Sequence, residues 1–172
     1  MSAAIIARDH AKIKIKDCCI GGFDRSWHQA TDGIVAKGRA DVRVKGGRIE
    51  MFCDGVGVAV AVHNSAQLIL HQVVIHSGAI GVHMEGEARV RVTKSTFRDL
   101  QIAALCVGSD SAAQQELWLG ENTFYGPAPL WGGDLRPARL VGESEWHAHA
   151  PPADNRHAAA HNGTNSQKYS IS

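Results

Sequence analysis

Apolar and polar residues alternate in four copies of one eleven-residue pattern. The copies span residues 5–15, 34–44, 60–70 and 82–92. Each begins with an apolar residue, has alanine at its seventh position and has aliphatic residues at its ninth and eleventh positions. A period of two places apolar side chains on one face of a β-strand, whereas a helix needs a period near 3.6. The pattern therefore predicts strands that recur along the chain.

The copies are joined by connections of unequal length, which is typical of solenoids. A further apolar residue follows each copy by five positions and predicts a second strand after a short bend. Glycine-containing turns at Gly21-Gly22, 54–57 and 77–81 then provide the positive φ angles of tight corners and lead into a third strand. The sequence thus predicts an all-β solenoid of about five coils, each with three strands in three parallel sheets.

This register assigns inward and outward positions on the first sheet. The inward residues are aliphatic and form pairs in successive coils: Ile13 and Ile15, Val42 and Val44, Leu68 and Leu70, Val90 and Val92, Leu117 and Leu119. The outward residues stack in columns about 4.8 Å apart per coil. One column contains Lys12, Asp41, Gln67, Arg89 and Glu116. Its two carboxylates lie three coils apart, about 14 Å by strand spacing, too far to act as a catalytic pair.

The pattern divides the chain into three parts. Residues 1–125 form the solenoid, and 126–146 are expected to fold over its end with Leu130, Trp131, Leu135, Leu140 and Trp146 as anchors. Residues 147–172 have almost no apolar periodicity and are expected to form a flexible tail. The first coil has no preceding polar cap, so its unpaired strand edges invite another chain. Either the chain is a piece of a longer β-helix, or this coil docks on a partner or a second copy.

Three motifs follow a pattern known from other repeat proteins: the turn and strand Gly78-Ala79-Ile80-Gly81-Val82-His83-Met84, the pair Val90 and Val92 with Phe97, and the run from Leu117 through Asn122 to Phe124. They resemble the right-handed, single-stranded parallel β-helix of the pectin-lyase-like superfold. The match is to repeats of carbohydrate-binding and sugar-hydrolase β-helices and of F-box-type proteins. In that family an inward Asn ladder is common, and only Asn122 occupies the position here. The resemblance implies architecture better than activity.

Composition limits the function classes. The 18 Lys and Arg nearly balance the 17 Asp and Glu, so net charge does not favour nucleic-acid binding. The N-terminal residues lack the apolar stretch of a signal peptide, and no window is long enough to span a bilayer, so we expect an intracellular protein that does not enter membranes. Cys18, Cys19, Cys53 and Cys106 match no zinc pattern and are expected to be buried thiols.

The outward face of the first sheet is basic, and a stripe of cations at strand spacing can bind a polyanion. The candidate binding residues on it are Lys14, Lys16, Arg43, Lys45, His71, Arg91 and Trp118. The alternative is a solvated face whose cations discourage edge aggregation, and the near-zero net charge favours that interpretation.

The second sheet has an outward column of Glu50, His76, Arg98 and Tyr125. As a catalytic site, His76 would be a general base oriented by Glu50 and flanked by Arg98. As a structural feature, the column would pair charges across strands. The structural interpretation is favoured, since repeats produce such columns without selection for catalysis.

Two further features of the sequence are relevant to binding. The insertion at 21–32 exposes Phe23, Trp27 and His28, and Trp27 is a candidate binding anchor or a residue packed back on the solenoid. The ten histidines match no preformed zinc spacing, so neither a metal nor a cofactor is expected.

The function expected from the sequence is a non-enzymatic interaction or scaffold module within a larger protein or assembly. The alternative is a carbohydrate-active β-helix, a polysaccharide lyase or glycoside hydrolase, that binds or cleaves an acidic polysaccharide along the basic first sheet.

Overall fold

The computed structural model describes residues 2–21, 30–51, 57–108, 115–126, 130–132, 138–140, 143–147 and 167–169. Within these ranges every regular element is a β-strand. The all-β prediction is confirmed.

The strands follow one another in triplets. The first three triplets are β1 (Ser2–Ala7), β2 (Lys12–Lys16), β3 (Cys19–Gly21); β4 (Ala30–Ala36), β5 (Asp41–Lys45), β6 (Arg48–Glu50); and β7 (Val58–Val62), β8 (Gln67–His71), β9 (Val74–His76). The next three are β10 (Ile80–Met84), β11 (Arg89–Thr93), β12 (Thr96–Arg98); β13 (Ala103–Val107), β14 (Glu116–Gly120), β15 (Thr123–Tyr125); and β16 (Leu130–Gly132), β17 (Ala138–Leu140), β18 (Ser144–His147). A last strand, β19 (Gln167–Tyr169), follows.

Each member of a triplet belongs to a different sheet. Sheet A has the order β1-β4-β7-β10-β13-β16, sheet B has β2-β5-β8-β11-β14-β17, and sheet C has β3-β6-β9-β12-β15-β18-β19. All neighbours pair in parallel except β18 and β19, which are antiparallel. The predicted parallel β-solenoid is confirmed, with sheet B as the predicted first sheet and sheet C as the second.

The core lies in the tube between the three sheets. In sheet B the inward side chains are those predicted, from Val42 and Val44 through Leu117 and Leu119, and each is at most 3 % exposed. Phe97 and Phe124 of sheet C stack with ring centroids 5.1 Å apart. Because the apolar alternation keeps one phase in the strands of sheet B, successive coils place their aliphatic side chains in one continuous core.

Left-handed residues mark the corners at which the chain turns between sheets. Gly21 and Gly78, predicted as corner residues, have φ angles of 128° and 108°. At the bend between sheets B and C, the residue after each of β2, β5, β8, β11 and β14 is also left-handed, and four of these five residues are not glycine: Asp17, Gln72, Lys94 and Glu121. A left-handed backbone is costly for a residue with a Cβ, so this bend is imposed by the coil and not chosen by the local sequence.

A short column of polar side chains supports the same bend from inside. Ser95 Oγ accepts a hydrogen bond from the Val73 N–H at 3.2 Å, and Asn122 Oδ1 accepts one from the Ser95 N–H at 3.0 Å. Ser144 Oγ accepts one from the Asn122 N–H at 3.2 Å. The predicted family position of Asn122 is thus occupied by an inward, buried side chain, and each polar residue satisfies a backbone group of the preceding coil.

The segment predicted as a cap, 126–146, adds one further strand to each sheet. The side chain of Trp146 packs against the core, and its Nε1–H donates to the Gly126 carbonyl at 3.1 Å. For the other anchor residues the described backbone places Leu130 and Trp131 in β16 and Leu140 in β17, while Leu135 lies outside the described residues. Within the predicted tail, β19 pairs with β18.

Candidate functional site

The outward side of sheet B, here called the basic face, brings most of the predicted binding residues together. The strand register stacks Lys14, Arg43, Ile69, Arg91 and Trp118 in one column. A parallel column contains Lys16, Lys45, His71, Thr93 and Gly120. These columns match the sequence prediction, because the constant strand spacing fixes which side chains are neighbours. The use of these residues in binding stays a prediction.

Cations on the basic face differ in their immediate partners. Arg43 makes a bidentate contact with Asp41, donating from Nε at 3.1 Å and from Nη2 at 2.9 Å. Arg89 Nε lies 3.9 Å from Glu116 Oε1. His71 Nδ1 lies 2.8 Å from Thr93 Oγ1 on the next strand. Both carboxylates of the basic face, Asp41 and Glu116, therefore lie beside arginines. The lysines of β2 and β5 outnumber these two carboxylates.

A shallow groove crosses the basic face at its far end. It has a volume of about 220 Å³, and its outward lining includes Ile69, Arg91 and Trp118. The Arg91 guanidinium carbon lies 5.5 Å from the centroid of the Trp118 ring, within the range of a cation–π contact. An indole beside guanidinium groups offers an apolar platform and charge for a flat, anionic ligand.

A second hollow of about 440 Å³ adjoins this groove. Gln67 and Arg89 line both, and Arg39, Ser65 and Glu87 complete the hollow. Ser65 Oγ donates a hydrogen bond to Glu87 Oε2 at 3.0 Å. Together the groove and the hollow form a depression that runs from the strands of sheet B to the adjacent corner.

On sheet C, His76 lies between the predicted column neighbours Glu50 and Arg98, and its ring also contacts two residues that were not predicted. Its Nε2 lies 2.7 Å from Asp99 Oδ2, and its Nδ1 lies 3.1 Å from Ser77 Oγ and 3.6 Å from Glu50 Oε1. Arg98 occupies the next position in the column by register, and its side chain is exposed. The imidazole therefore bridges carboxylates of the neighbouring coils, with Asp99 as the nearer partner.

Asp99 was not identified from the sequence, although a signal was present. It immediately follows β12, as Ser77 follows β9, and both residues have left-handed φ angles, 55° and 62°. That conformation turns the Asp99 side chain back toward the preceding coil. At the other end of the column, Tyr125 stacks on His147 with ring centroids 4.9 Å apart.

The first coil is the most open part of the described core. The inward residues Ile5, Ile13 and Ile15 are only partly buried, whereas their partners Ile34, Val42 and Val44 are buried. Ile6 is 42 % exposed on the outward side of β1. In the described topology β1, β2 and β3 are each the terminal strand of a sheet, so one edge of each has no strand partner there.

A polar cluster around the buried Asp32 of sheet A was not predicted. Asp32 is 5 % exposed, and burial raises the pKa of its carboxyl above the ordinary value, although a hydrogen bond from the Val58 N–H opposes the shift. The nearby charges of His63 and His83 also lower that pKa, and the two imidazole rings meet edge to face at 6.2 Å. His63 Nδ1 lies 2.8 Å from Glu85 Oε2.

The cysteine prediction was partly wrong. Cys18 and Cys19 are exposed, Cys18 because it lies at the bend of the open first coil and Cys19 because it is on the outward side of β3, in register with the exposed Arg48. Cys18 Sγ donates to the Lys16 carbonyl at 3.1 Å, and Arg48 Nε donates to Cys19 Sγ at 3.2 Å. Cys106 is buried as predicted, and burial raises the pKa of its thiol. Cys53 lies outside the described residues.

Two other expectations concern ligands. Trp27, with Phe23 and His28, lies outside the described residues. Within the ranges that the structure describes, no three His, Cys, Asp or Glu side chains converge in a way that would hold a metal ion. The same ranges contain no helix with the length and hydrophobicity required to cross a lipid bilayer.

Comparisons with known proteins return no match among protein-family models, curated proteins or solved structures.

Proposed function

We propose that this protein is a non-enzymatic interaction module that pairs the first coil of its solenoid with a strand of another protein chain. The observation that supports this function best is the open end of the core. The inward residues Ile5, Ile13 and Ile15 are only partly buried, and the edges of β1, β2 and β3 lack a second strand in the described topology.

Strand addition would stabilise this end in two ways. Backbone N–H and C=O groups on an unpaired edge can accept a further strand in the manner of β-augmentation. An added strand would also cover the three isoleucines and remove apolar area from water, at about 25 cal/mol per Å² buried. The same solenoid packing continues from the second coil onward, so the docking geometry already exists in the molecule.

The geometry around His76 supports a structural role for sheet C. Each ring nitrogen lies near an oxygen of a neighbouring side chain, at 2.7 Å for Asp99 and 3.1 Å for Ser77. Such contacts stabilise the stacking of coils. A rigid solenoid with paired charges on its flank is suited to present an edge to another chain.

Position-specific cross-linking tests the proposed function. A photo-reactive amino acid replaces Ile6 in the full chain, with Ile102 as a matched control because the two side chains are 42 % and 41 % exposed. In an extract of the source cells, we expect one defined protein to cross-link at position 6 and not at position 102. Its purified form should then bind the wild-type chain. Equal cross-linking at both positions, or none at position 6, would contradict the proposal.

The groove at Trp118 supports a second candidate function, the binding of an acidic polysaccharide along the basic face. Sugar rings pack their apolar faces on indole rings, and guanidinium groups bind carboxylates through two hydrogen bonds. Arg91 and Trp118 provide both features in one groove. This candidate also fits the resemblance to pectin-lyase-like β-helices.

A panel of uronate polymers distinguishes this candidate from the first. If it is correct, a polymer should retain the protein on an affinity gel, quench Trp fluorescence and lose both effects in Arg91→Ala. Arg98→Ala, which removes an exposed arginine from sheet C, is the control and should bind normally. Cleavage would appear as unsaturated products in the ultraviolet. Equal retention of both variants would exclude the groove.

A further inference from the structure

The edge strand β2 has a regular charge pattern. Lys12, Lys14 and Lys16 are exposed on its outward side and alternate with the partly buried Ile13 and Ile15. A strand added in register would place its own outward side chains about 4.8 Å from the lysines and its inward side chains against the isoleucines. The alternating lysines and isoleucines of this edge therefore restrict which side chains a paired strand can have at its outward and inward positions.

Like charges already face one another between the first two coils. The register pairs Lys14 with Arg43 and Lys16 with Lys45. Like charges directly opposite on neighbouring strands are destabilising. Among the outward residues of these two strands the one carboxylate is Asp41, and it is engaged by both the Nε and the Nη2 of Arg43.

The corner that follows β2 provides little negative charge to offset the repulsion between these cations. Asp17 lies 3.9 Å from Lys16, with both side chains mostly exposed, so solvent screens their attraction. Farther along the same sheet, Arg89 has Glu116 as its neighbour on the adjacent strand, at 3.9 Å. A cation beside a carboxylate on the next strand is therefore an arrangement that sheet B itself uses.

A second copy of the chain is a poor occupant of this edge. Two β2 strands placed edge to edge would bring lysines against lysines. The other end of sheet B is β17, in which Arg139 occupies the register position after Arg91 and Trp118. That register position is the one that Lys14 occupies in β2, and the sequence of β17, Ala-Arg-Leu, offers no carboxylate to a lysine of β2.

These observations point to one chemical class of partner. We infer that β2 receives an extended segment of a different protein, with carboxylates at alternate positions facing Lys14 and Lys16 and apolar residues facing Ile13 and Ile15. The inference rests on the proposed docking function and specifies its partner.

Synthetic peptides test the inference on the full-length protein. The probe alternates glutamate with valine, and two controls replace glutamate by glutamine or by lysine. A third control keeps the glutamates but replaces valines by proline, which cannot donate backbone hydrogen bonds to a strand. We expect measurable binding of the glutamate–valine peptide alone. Its affinity should fall by about tenfold or more between about 0.05 M and about 0.5 M salt, because the contacts are exposed charges.

Charge reversal locates the site. Lys14→Glu combined with Lys16→Glu should abolish binding of the acidic peptide. Lys94→Glu combined with Arg98→Glu changes the net charge equally on exposed residues of another coil and should leave binding unchanged. If the β2 double variant does not fold, protection of the β2 amides of the wild-type protein from hydrogen exchange by the acidic peptide decides the question.

The outcomes separate the two claims. Equal binding of the proline peptide would overturn the inference, because a polyanion would then suffice without strand pairing. Equal binding of the glutamine peptide would overturn it too, because charge would then be irrelevant. Failure of the acidic peptide, together with a partner that cross-links at position 6, would reject the acidic strand and leave the docking function intact. Failure of both experiments would reject both claims.

Discussion

At the scale of single residues, Asp32 shows that burial in the protein disfavours the ionised form of a carboxyl group. The residue is 5 % exposed, and its pKa is raised above the ordinary value because burial penalises the ionised form. A raised pKa means that the folded state holds the proton more tightly than the unfolded state. Asp32 therefore favours folding below its ordinary pKa, and this contribution is lost as pH rises through the higher, folded-state pKa.

Asp32→Asn should stabilise the protein at neutral pH. Asparagine keeps an oxygen that can accept the Val58 N–H and removes the desolvated charge. The gain should be smaller than the roughly 1–3 kcal/mol of an uncompensated buried polar group, because that hydrogen bond already compensates the carboxylate. Chemical denaturation at neutral pH and below the ordinary Asp pKa, about 3.9, should show the gain disappearing in acid.

The exposed Asp9 provides the control for this prediction. Its φ angle of 57° is one that asparagine also tolerates, so Asp9→Asn should leave stability nearly unchanged at both pH values. A loss of stability in Asp32→Asn at neutral pH would show that attraction to His63 and His83 outweighs the cost of burial.

At the scale of elements, the bend between sheets B and C holds residues other than glycine in the left-handed conformation, which residues with a Cβ normally avoid. Gln72 has a φ of 56° although it is not glycine, and its N–H donates to the Thr93 carbonyl at 3.0 Å. The left-handed conformation costs about 1–2 kcal/mol for a residue with a Cβ. The parallel hydrogen bonds of adjacent coils offset that cost.

Gln72→Gly should therefore leave the free energy of unfolding unchanged or raise it by up to about 1 kcal/mol, since relief at φ exceeds the entropy lost by glycine. The same change at Gln67, an exposed residue within β8, should lower it by about 0.5–1 kcal/mol. Urea denaturation of the two variants is the measurement. Equal losses would show that the bend is not strained.

The sequence predicted the strands better than the corners. The strict period of two and the recurring eleven-residue unit determine which side chains of sheet B point inward and which point outward. One register therefore assigns the inward position correctly both to Ile13 in β2 and to Leu119 in β14. The corners depend on backbone pairing between coils, which is absent from a single repeat. Asp99 was missed as a partner of His76 for this reason, and the exposure of Cys18 depends on the open end of the core.

At the scale of the whole molecule, the two ends of the solenoid differ. At the first coil, three strand edges, three partly buried isoleucines and a row of lysines lie together. At the opposite end β16 and β17 are also terminal strands of sheets A and B in the described topology, whereas β19 pairs with β18 and covers the edge of sheet C. This asymmetry supports association through the first coil, with the middle coils acting as a rigid support.

Amide hydrogen exchange, measured strand by strand, tests this account most directly. In the free chain, β1, β2 and β3 should exchange faster than β7, β8 and β9, whose two edges are both paired. On addition of the protein that cross-links at position 6, the slowing of exchange should concentrate in β1–β3. Strands β1–β3 as protected as β7–β9 in the free chain, or a partner that protects only other strands, would contradict the account.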